Sequence, residues 1–598
     1  MKWRSNRPYF VAVLVVVAAL VPFFVSGYRV FEFDVILLMV AAGCGLNLAV
    51  GYSGEFLLSQ ATVLGVSAYS TGILSQYDHW SILATLPVAL GLSLVWQLLI
   101  CVAGLRVRGL YLGILTFFSV LVFPYLVYID GSVTGGTDGL VGISPFVSSG
   151  GRKGIVIPYE IVLGILVVSV YLAWSLVASG WGIRLRYLRD APNALSAAGV
   201  RVWTTKLWVY GISMVPAALA GWALAYISQS LTYEVFSISL TLILFAGVQL
   251  VGPGTLVGPI LGVGILDGFS QAVGPFSSYN TMGLGLLLTA MVLLFPGGLL
   301  RRLDQRNALA ELALDVPVFT SESDAAGVPR PANAAQVDAS SEVALRLVDV
   351  HKSFGGNHAV DGVSFDLRSG RVVALMGENG SGKTTLVNLI TGFLKPDSGS
   401  VWIDGVDTTG MTSHVVAHHG CSRTFQMPQI VGELSVRENV EAGLLRVANA
   451  GPFTAVFTPW RARRVDRERR TRATSECLRL GFRPSDLDRR VDALPLGLRR
   501  LVEVARAVAT GAHLICLDEP AAGLDHVEIA ELGNVLRDLS REGHAVLLVE
   551  HNARFVLEAC DDFILMREGR LEGVFEDVDE SRLPVELQRH LRREPERA

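Results

Sequence analysis

A glycine-rich run of eight residues offers the clearest chemistry in this sequence. It lies between the apolar run VVALM and the helix-like run TTLVNLITGFL. Glycines let such a loop turn tightly, so that backbone N–H groups face a phosphate while a lysine reaches the β- and γ-phosphates. A hydroxyl at the end of the run suits Mg²⁺. The run and the residue after it therefore predict an ATP site with bound Mg²⁺, made of Gly377, Glu378, Asn379, Gly380, Ser381, Gly382, Lys383, Thr384 and Thr385.

Two adjacent acids follow a second apolar run about 140 residues later. The sequence HLICLDE ends in Asp518 and Glu519. A carboxylate at the end of a buried strand can join the Mg²⁺ shell, and the next one can orient or deprotonate the attacking water. We therefore expect Asp518 to hold the metal together with Thr384, and Glu519 to be the catalytic base.

The elements that must position these residues alternate from residue 343 onward. Short apolar runs such as VVALMG, HLICLDE and AVLLVE alternate with amphipathic stretches at 498–510 and 527–541. That alternation is typical of an α/β nucleotide-binding sheet. The charged stretch 459–475 is expected to be a solvated helical insertion and not a nucleic-acid site.

The first half of the chain has a different composition. The whole sequence is 51% hydrophobic and only 17% charged, and most charged residues follow Arg301. Apolar stretches of about 20 residues, the length that crosses a bilayer, recur through the first 300 residues. We predict about ten spans, at the N-terminal run and at 34–50, 55–76, 81–104, 109–129, 157–178, 207–227, 236–252, 255–272 and 280–300.

Charge orients these spans. The basic clusters at 2–7, 106–108, 184–206 and 301–302 share one side if ten segments cross, which places that side in the cytoplasm; Arg152 and Lys153 are exceptions. A cleaved signal peptide has the same layout as the N-terminal run, but the run's length and the spans that follow favour an uncleaved helix. No basic arm suggests nucleic acid. The six cysteines lack paired or metal-type spacing and indicate a reducing compartment.

The C-terminal half resembles an ABC-transporter ATPase. In that family an aromatic ring packs on adenine, a glutamine senses the γ-phosphate and Mg²⁺ and contacts the permease, an aspartate crosses the dimer interface, and a histidine holds the γ-phosphate. The matching residues are Phe354, Gln426, Asp525 and His551. The resemblance implies that Glu519 and His551 are catalytic.

One motif departs from the family pattern. Where the family has L-S-G-G-Q, this sequence has Leu494, Pro495, Leu496, Gly497 and Leu498. Proline has neither the hydroxyl nor the N–H that would meet the γ-phosphate of an opposing subunit, although it can begin a helix. The hypothesis is that the composite site using this signature is weakened, while the site with Lys383 and Glu519 keeps its chemistry.

The N-terminal half resembles the permease subunits of branched-chain amino-acid ABC importers. The matching runs are GYSG with LSQA, LRVRGLY, TGGTDGL, GPGTL with GP, and FPGGL. Helix-breaking glycines at membrane depth are candidates for a transport path, and close helix packing through small residues is the alternative. The candidate path residues are Gly51, Tyr52, Ser53, Gly54, Thr134, Gly135, Gly136, Thr137 and Asp138.

Both halves resemble one importer family, since FGG at 354–356, RTFQ at 423–426 and ENV at 438–440 match its ATP-binding subunits. The resemblance also makes 180–200 the coupling loop, seated in an ATPase groove near Gln426; a membrane-surface helix is the alternative.

The predicted fold is an N-terminal all-α polytopic membrane domain followed by a C-terminal α/β P-loop ABC ATPase domain. The expected domains are a permease at 1–302, a flexible linker at 303–342 and an ATPase at 343–598. The resemblance implies ATP-driven import of branched-chain or related amino acids across a bacterial-type cytoplasmic membrane, with the ATPase in the cytoplasm. Implied partners are a second permease subunit, a second ABC ATPase subunit, an extracytoplasmic solute-binding protein and the lipid bilayer. Import of urea, short amides or aromatic carboxylates is the alternative, and an ABC exporter is a further one.

Overall fold

The computed structural model describes residues 17–104, 110–129, 131–147, 151–273, 282–283, 285–286, 289–290, 293, 343–447 and 450–576. Several predicted features lie outside these residues: the basic clusters at 2–7, 106–108 and 301–302, the FPGGL run and the linker at 303–342. The chain divides into two compact units, Met1–Ala178 with Trp203–Leu314 and Ser179–Val202 with Asp315–Ala598. The segment Ser179–Val202 therefore clusters with the unit that carries the phosphate-loop residues.

The first unit is a bundle of apolar helices. Among the described residues, five helices are long and apolar enough to cross a membrane: Gly27–Tyr52, Ile82–Ala103, Tyr111–Ile129, Lys153–Val177 and Val202–Ser228. The predicted count of about ten is not confirmed by these residues. Other predicted spans contain shorter helices, Gln60–Gln76, Ile238–Val251 and Val257–Val273. Glycine-containing breaks precede the first and separate the other two, and residues 274–280 lie outside the described residues.

The helices of this unit are labelled in chain order. They are α1 (Gly27–Asn47), α2 (Gln60–Gln76), α3 (Ile82–Gly104), α4 (Leu110–Ile129), α5 (Lys153–Val177), α8 (Val202–Ser228), α9 (Ile238–Val251) and α10 (Val257–Val273), while α6 and α7 belong to the other unit. A five-residue π-helical stretch, Leu48–Tyr52, extends α1, and two short strands, β1 (Leu140–Val141) and β2 (Ser230–Leu231), pair antiparallel.

Small residues let these helices approach closely. An added Cβ on Gly262 would lie 1.8 Å from the carbonyl oxygen of Gly247, so α9 and α10 touch backbone to backbone. Large apolar side chains such as Leu83 and Leu99 instead face outward from α3. A close-packed interior with an apolar exterior is what a lipid-embedded bundle requires.

The second unit begins with two short helices, α6 (Gly180–Asp190) and α7 (Pro192–Ala197). A four-stranded antiparallel sheet has the order β4-β3-β6-β7, and a six-stranded sheet has the order β12-β11-β5-β10-β9-β8. The strands are β3 (Val343–Phe354), β4 (Asn357–Arg368), β5 (Val372–Met376), β6 (Ser398–Ile403), β7 (Val406–Asp407), β8 (Cys421–Arg423), β9 (Leu514–Asp518), β10 (Ala545–Val549), β11 (Asp562–Arg567) and β12 (Arg570–Phe575).

The six-stranded sheet is parallel except at β12, which pairs antiparallel with β11. Its helices are α11 (Lys383–Ile390), α12 (Ser413–His418), α13 (Val436–Glu441), α14 (Pro452–Phe457), α15 (Pro459–Arg479), α16 (Leu496–Ala509), α17 (His526–Arg541) and α18 (Ala553–Ala559). The strands β5, β9 and β10 are buried along their whole length, as the unbroken apolar runs predict. The prediction of an α/β fold for this half is confirmed.

Candidate functional site

The phosphate loop and the two acids meet at one edge of the parallel sheet. Strand β10 lies between β5 and β9, and Val549 is in register with Asp518. Loops that follow neighbouring parallel strands share the carboxyl edge, where ligands bind in open α/β sheets. Residues 377–384 follow β5, Glu519 follows β9 and His551 follows β10, so the sheet order brings together groups far apart in sequence.

The phosphate loop is shaped to receive an anion. Gly377 has φ of 148°, and an added Cβ there would lie 2.2 Å from the carbonyl oxygen of Met566, so only glycine fits. Ser381 is buried, with only 4% of its surface exposed, and its hydroxyl has no hydrogen-bond partner. An unpaired buried hydroxyl in a cradle of backbone N–H groups fits a phosphate oxygen.

Lys383 lies in the same loop. Its ammonium donates to the carbonyl oxygens of Gly377 at 2.7 Å and Glu378 at 2.8 Å. Burial lowers the pKa of this lysine, while Glu519 and Asp518 act in the opposite direction. The ammonium can exchange its carbonyl partners for phosphate oxygens, since these are stronger acceptors. The exposed loop residues are Glu378, Asn379, Gly380 and Thr384, while Gly382 and Thr385 are half-buried.

Glu519 is the centre of a three-residue contact. Its Oε2 accepts a hydrogen bond from Gln426 Nε2 at 3.3 Å, and its Oε1 lies 3.5 Å from His551 Nε2. Glu519 also has φ of 49°, a left-handed backbone that is uncommon for a residue with a side chain. Such strained positions cluster where a side chain must be aimed. The structure therefore brings together the predicted base, the predicted γ-phosphate sensor and the predicted switch histidine.

Asp518 lies deeper in the sheet than Glu519. One of its oxygens, Oδ2, lies 3.3 Å from an amino group of Arg423, and both side chains are almost completely buried. Burial raises the pKa of Asp518, and Arg423 opposes that shift. Hard oxygen donors from Asp518, Gln426 and Thr384 fit Mg²⁺, with the Asp518 carboxylate already held in place by Arg423.

The remaining ATPase candidates lie on surfaces of this unit. Phe354 ends β3 with half of its surface exposed, so its ring is open to stacking. Asp525 caps α17: its Oδ1 accepts from the backbone N–H of Glu528 at 2.8 Å, and Glu528 Oε2 accepts from the Asp525 N–H at 3.1 Å. Asp525 therefore has a local structural role besides the predicted interface role.

The altered signature opens α16. Pro495 is the residue before the first helical turn, with extended backbone, and Leu496 is exposed. Leu494 and Leu498 are buried beneath it. An added Cβ on Gly497 would lie 2.1 Å from Glu528 Oε1, so the carboxylate of Glu528 rests directly against Gly497. That carboxylate places negative charge beside the segment predicted to meet a γ-phosphate.

Three charged residues on α16 hold the loop that carries Gln426, and sequence reasoning missed them. Arg500 donates to the carbonyl oxygens of Phe425 at 3.0 Å and Gln426 at 2.6 Å. Glu503 accepts from the backbone N–H groups of Phe425 at 3.2 Å and Gln429 at 3.3 Å. Arg506 donates to the Gln429 carbonyl oxygen. Their spacing of three residues on a helix face was the available signal.

The segment Ser179–Val202 docks on its own unit through several polar contacts. Trp181 Nε1 donates to the Ala450 carbonyl oxygen at 2.9 Å. Arg189 forms an ion pair with Glu433 at 2.9 Å. The hydroxyls of Ser196 and Ser413 are 2.5 Å apart. These contacts favour the coupling-loop interpretation of the segment. Ser413 begins α12, whereas Glu433 and Ala450 lie in the loops before α13 and α14, so none of these three contacts is made with Gln426 itself.

The prediction of a solvated insertion at 459–475 needs a correction. The stretch is helical, within α15, but Arg469 is only 2% exposed. Its guanidinium pairs with Glu441 at 3.1 Å and Asp466 at 2.9 Å, and Asp466 also accepts from the Gly180 N–H at 3.1 Å. Arg469 can therefore lie in the interior, because the buried Glu441 and the half-buried Asp466 compensate its charge.

The membrane candidates form two separate breaks. An added Cβ on Gly51 would lie 2.3 Å from the Gly254 nitrogen, so the break after α1 packs on the break before α10. Asn47 joins them, since its amide donates to the Thr255 carbonyl oxygen at 2.8 Å and accepts from the Gly254 N–H at 2.9 Å. Close packing thus accounts for Gly51. Within this break Tyr52 and Ser53 are buried and Gly54 is exposed.

The second break follows α4 and a helical turn, Gly131–Thr134. Thr134 donates to the Val127 carbonyl oxygen at 2.5 Å. Gly135 is half-buried and Gly136 buried, whereas Thr137 and Asp138 are exposed. The structure does not bring Thr137 and Asp138 to the Gly51 break through any contact it records among the described residues.

Both halves of the chain match known protein families. Residues 360–522 match the family model described as ABC transporter, and residues 33–300 match the model described as branched-chain amino acid transport system, permease component. A probable branched-chain amino acid transport ATP-binding protein, LivG of Methanocaldococcus jannaschii, is 34% identical over 227 residues, which cover 38% of this chain and 87% of that protein. The chain belongs to the ABC transporters.

This ABC transporter joins a permease component and an ATPase in one polypeptide. Its ATPase is also similar to the ribose import ATP-binding protein RbsA of Bacillus subtilis, at 32% identity over 226 residues, and to the arabinose import ATP-binding protein AraG of Chromohalobacter salexigens, at 34% over 246. The chain spans only 43% and 47% of those two relatives. A solved structure of a nucleotide-free ATP-binding cassette from an ABC transporter is 32% identical in sequence and has a TM-score of 0.35. The alignment covers 42% of this chain and 96% of the solved chain.

Proposed function

We propose that this ABC transporter uses ATP hydrolysis to import a small polar solute across a cytoplasmic membrane. The observation that carries the proposal is the contact of Glu519 with Gln426 and His551 at the sheet edge that also bears the phosphate loop. Residues 33–300 of the same chain match a permease component, and we assign the membrane path to them. The hydrolytic site and the apolar helical bundle are then two parts of one machine.

The chain's own groups divide the work at the nucleotide. Phe354 stacks on adenine, and Lys383 with the loop N–H groups neutralises the phosphates. Thr384, Gln426 and Asp518 would hold Mg²⁺, which would supply positive charge to the phosphates when bound. Glu519 takes the proton of the attacking water, whose position Gln426 helps to set.

His551 and the opposing subunit complete the proposed cycle. His551 holds the γ-phosphate and, through its contact with Glu519, keeps that carboxylate aimed at the water. A second ATPase subunit closes over the nucleotide with its own signature, and Asp525 lies at that interface. Closure moves the segment Ser179–Val202, and the membrane helices change the side to which the path opens.

The proposed assembly has partners that follow from the single copy of each part. One permease and one ATPase require either a second copy of this chain or separate second subunits, with the ATPases in the cytoplasm. An extracytoplasmic binding protein would deliver the solute. The proposed path residues are those of the two breaks at 52–54 and 134–138, because irregular backbone at membrane depth survives only in protein or along a cavity, and Gly51 is already explained by packing on Gly254.

Branched-chain or related amino acids are the proposed solutes. The permease match supports them, because the membrane helices and not the ATPase contact the cargo. Ribose and arabinose import are second candidates, favoured by the names of two ATPase relatives. Import of urea, short amides or aromatic carboxylates by a transporter of the same superfamily is an alternative, and export is a further alternative.

Uptake in reconstituted vesicles tests the proposal. The full chain with its second subunits and the binding protein is expected to accumulate radiolabelled leucine when ATP is supplied on the ATPase side. Glu519→Gln is expected to bind ATP but lose uptake and hydrolysis by at least about a hundredfold. Competition by unlabelled ribose, urea or benzoate separates the alternatives. Absence of ATP-dependent accumulation of every solute would reject the proposal.

A further inference from the structure

A buried tyrosine connects the docked segment with the loop that carries Gln426. Tyr187 lies in α6, and none of its side chain is exposed. Its hydroxyl donates to Asn439 Oδ1 at 2.7 Å, and the guanidinium carbon of Arg506 lies 5.8 Å from its ring centroid. A phenol excluded from water beside a buried cation is stable only if both find partners.

Arg506 extends this connection from Tyr187 to Glu503. Arg506 is 3% exposed and Glu503 1% exposed, and their side chains are 3.2 Å apart. Glu503 accepts from the backbone N–H groups of Phe425 and Gln429, while Arg506 donates to the Gln429 carbonyl oxygen. Two opposite charges on α16 thus hold both ends of the loop 425–429, and the ring of Tyr187 covers this pair.

A second connection runs through Asn439. Its Oδ1, which accepts the Tyr187 hydroxyl, also accepts from the Val431 N–H at 2.9 Å. Its Nδ2 donates to the carbonyl oxygens of Val431 and Ser435, both at 3.0 Å. Loss of the hydroxyl therefore removes a partner from the group that holds the backbone just after the Gln426 loop.

We propose that Tyr187 is a positioning residue for Gln426, acting through Arg506, Glu503 and Asn439. When α6 is docked, the loop 425–429 is held so that Gln426 Nε2 meets Glu519 Oε2; when α6 moves away, the buried charge pair loses its cover and the loop relaxes. The inference rests on the proposed ATPase function and adds the residue through which the docked segment reaches the hydrolytic site. The contact of Ser196 with Ser413, by comparison, is not made with this loop.

Tyr187→Phe in the assembled full-chain transporter tests this proposal. It keeps the ring over Arg506 and removes only the hydroxyl. The expected result is a fall of about five- to tenfold in kcat for ATP, the scale of one buried hydrogen bond, with KM for ATP unchanged because the phosphate loop is untouched. In a Gln426→Ala background the same change should lower kcat by less than about twofold, since its target is gone.

Ser196→Ala is the matched control. It removes another hydroxyl contact of the same segment, and its effect should be equally large in both backgrounds. Amide hydrogen exchange gives a second readout that needs no turnover: peptide 425–429 should exchange faster in Tyr187→Phe and at the wild-type rate in Ser196→Ala.

Two results would overturn the inference: an equal effect of Tyr187→Phe with and without Gln426, or unchanged exchange of 425–429. A wild-type assembly that hydrolyses no ATP would instead reject the proposed function, and the exchange measurement would still decide the role of Tyr187.

Discussion

The buried arginine of α15 gives the sharpest test of how the second unit is held together. Arg469→Met keeps the length and apolar stem of the side chain but removes the cation. Glu441 is 5% exposed and would be left without its 3.1 Å partner. Burial raises the pKa of Glu441, and Arg469 makes the largest contribution that opposes this shift. The variant therefore leaves the ionised carboxylate of Glu441 buried without its main compensating charge.

The magnitude follows from breaking a buried pair. Removal of one partner costs about 3–5 kcal/mol. For a unit of this size each kcal/mol shifts Tm by about 2–4 °C, so a loss of roughly 3 kcal/mol lowers Tm by about 6–12 °C. Arg472→Met is the control on the same helix, because Arg472 is half-exposed and pairs with Glu468 at 2.7 Å on the surface. Such a pair contributes about 0.3–0.5 kcal/mol, or about 1–2 °C.

Thermal unfolding of the purified full chain, followed by a fluorescent dye, measures both variants. Adding Glu441→Gln to Arg469→Met removes the stranded charge and should restore at least about half of the lost Tm. The reasoning is refuted if Arg469→Met is no less stable than Arg472→Met, or if the second substitution restores nothing.

Three further predictions concern the signature, the docked segment and the membrane unit. Pro495→Ser should raise ATPase activity of the assembled complex, by up to about tenfold if a composite site is restored, and an unchanged rate would contradict the weakened-signature hypothesis. Burial, ahead of neighbouring arginines, lowers the pKa of His414 and His418. The stability that comes from the neutral histidines is therefore present above about pH 6.5 and is lost as pH falls through the lowered values. The protection factor of peptide 196–201, which compares its exchange with the intrinsic rate at the same pH, should be lower at about pH 5.5 than at about pH 7.5, and equal protection would count against the prediction. Glu55 pairs with Lys206 at 2.5 Å. Lys206→Met leaves the Glu55 carboxylate without this partner, so it should lower Tm by several degrees more than the double variant Lys206→Met with Glu55→Gln. Equal shifts of Tm would show that the pair contributes nothing to stability.

Much of the ATPase site could be predicted because its chemistry is local in sequence. The run 377–384 contains its own turn, its own N–H donors and its own lysine, so its type and spacing suffice. Asp518 ends one apolar strand and Glu519 follows it, and their order predicts that one holds the metal and the other acts on the water. The apolar stretches of the first half likewise predicted helices, because hydropathy alone decides whether a segment enters lipid.

Other features depended on contacts between distant residues. The count of spans was not confirmed by the described residues. Glycine and proline breaks shorten α2 and α9 below the length of a full crossing, and most of the N-terminal run and of 280–300 lies outside the described residues. Arg469 was expected to be solvated, because a run of charges has no pattern that identifies the one member with buried partners. The link from Tyr187 to Gln426 spans more than two hundred residues, so no local pattern could reveal it.

The sequence by itself predicted which groups would bind nucleotide and determined the division into an apolar and a charged half, because both follow from residue type over short distances. Only the tertiary structure decided which charges are buried, how Gln426 is held and where the segment Ser179–Val202 docks. Burial and pairing depend on the free energy of groups brought together by the sheet order and helix packing, and that proximity is a property of the fold.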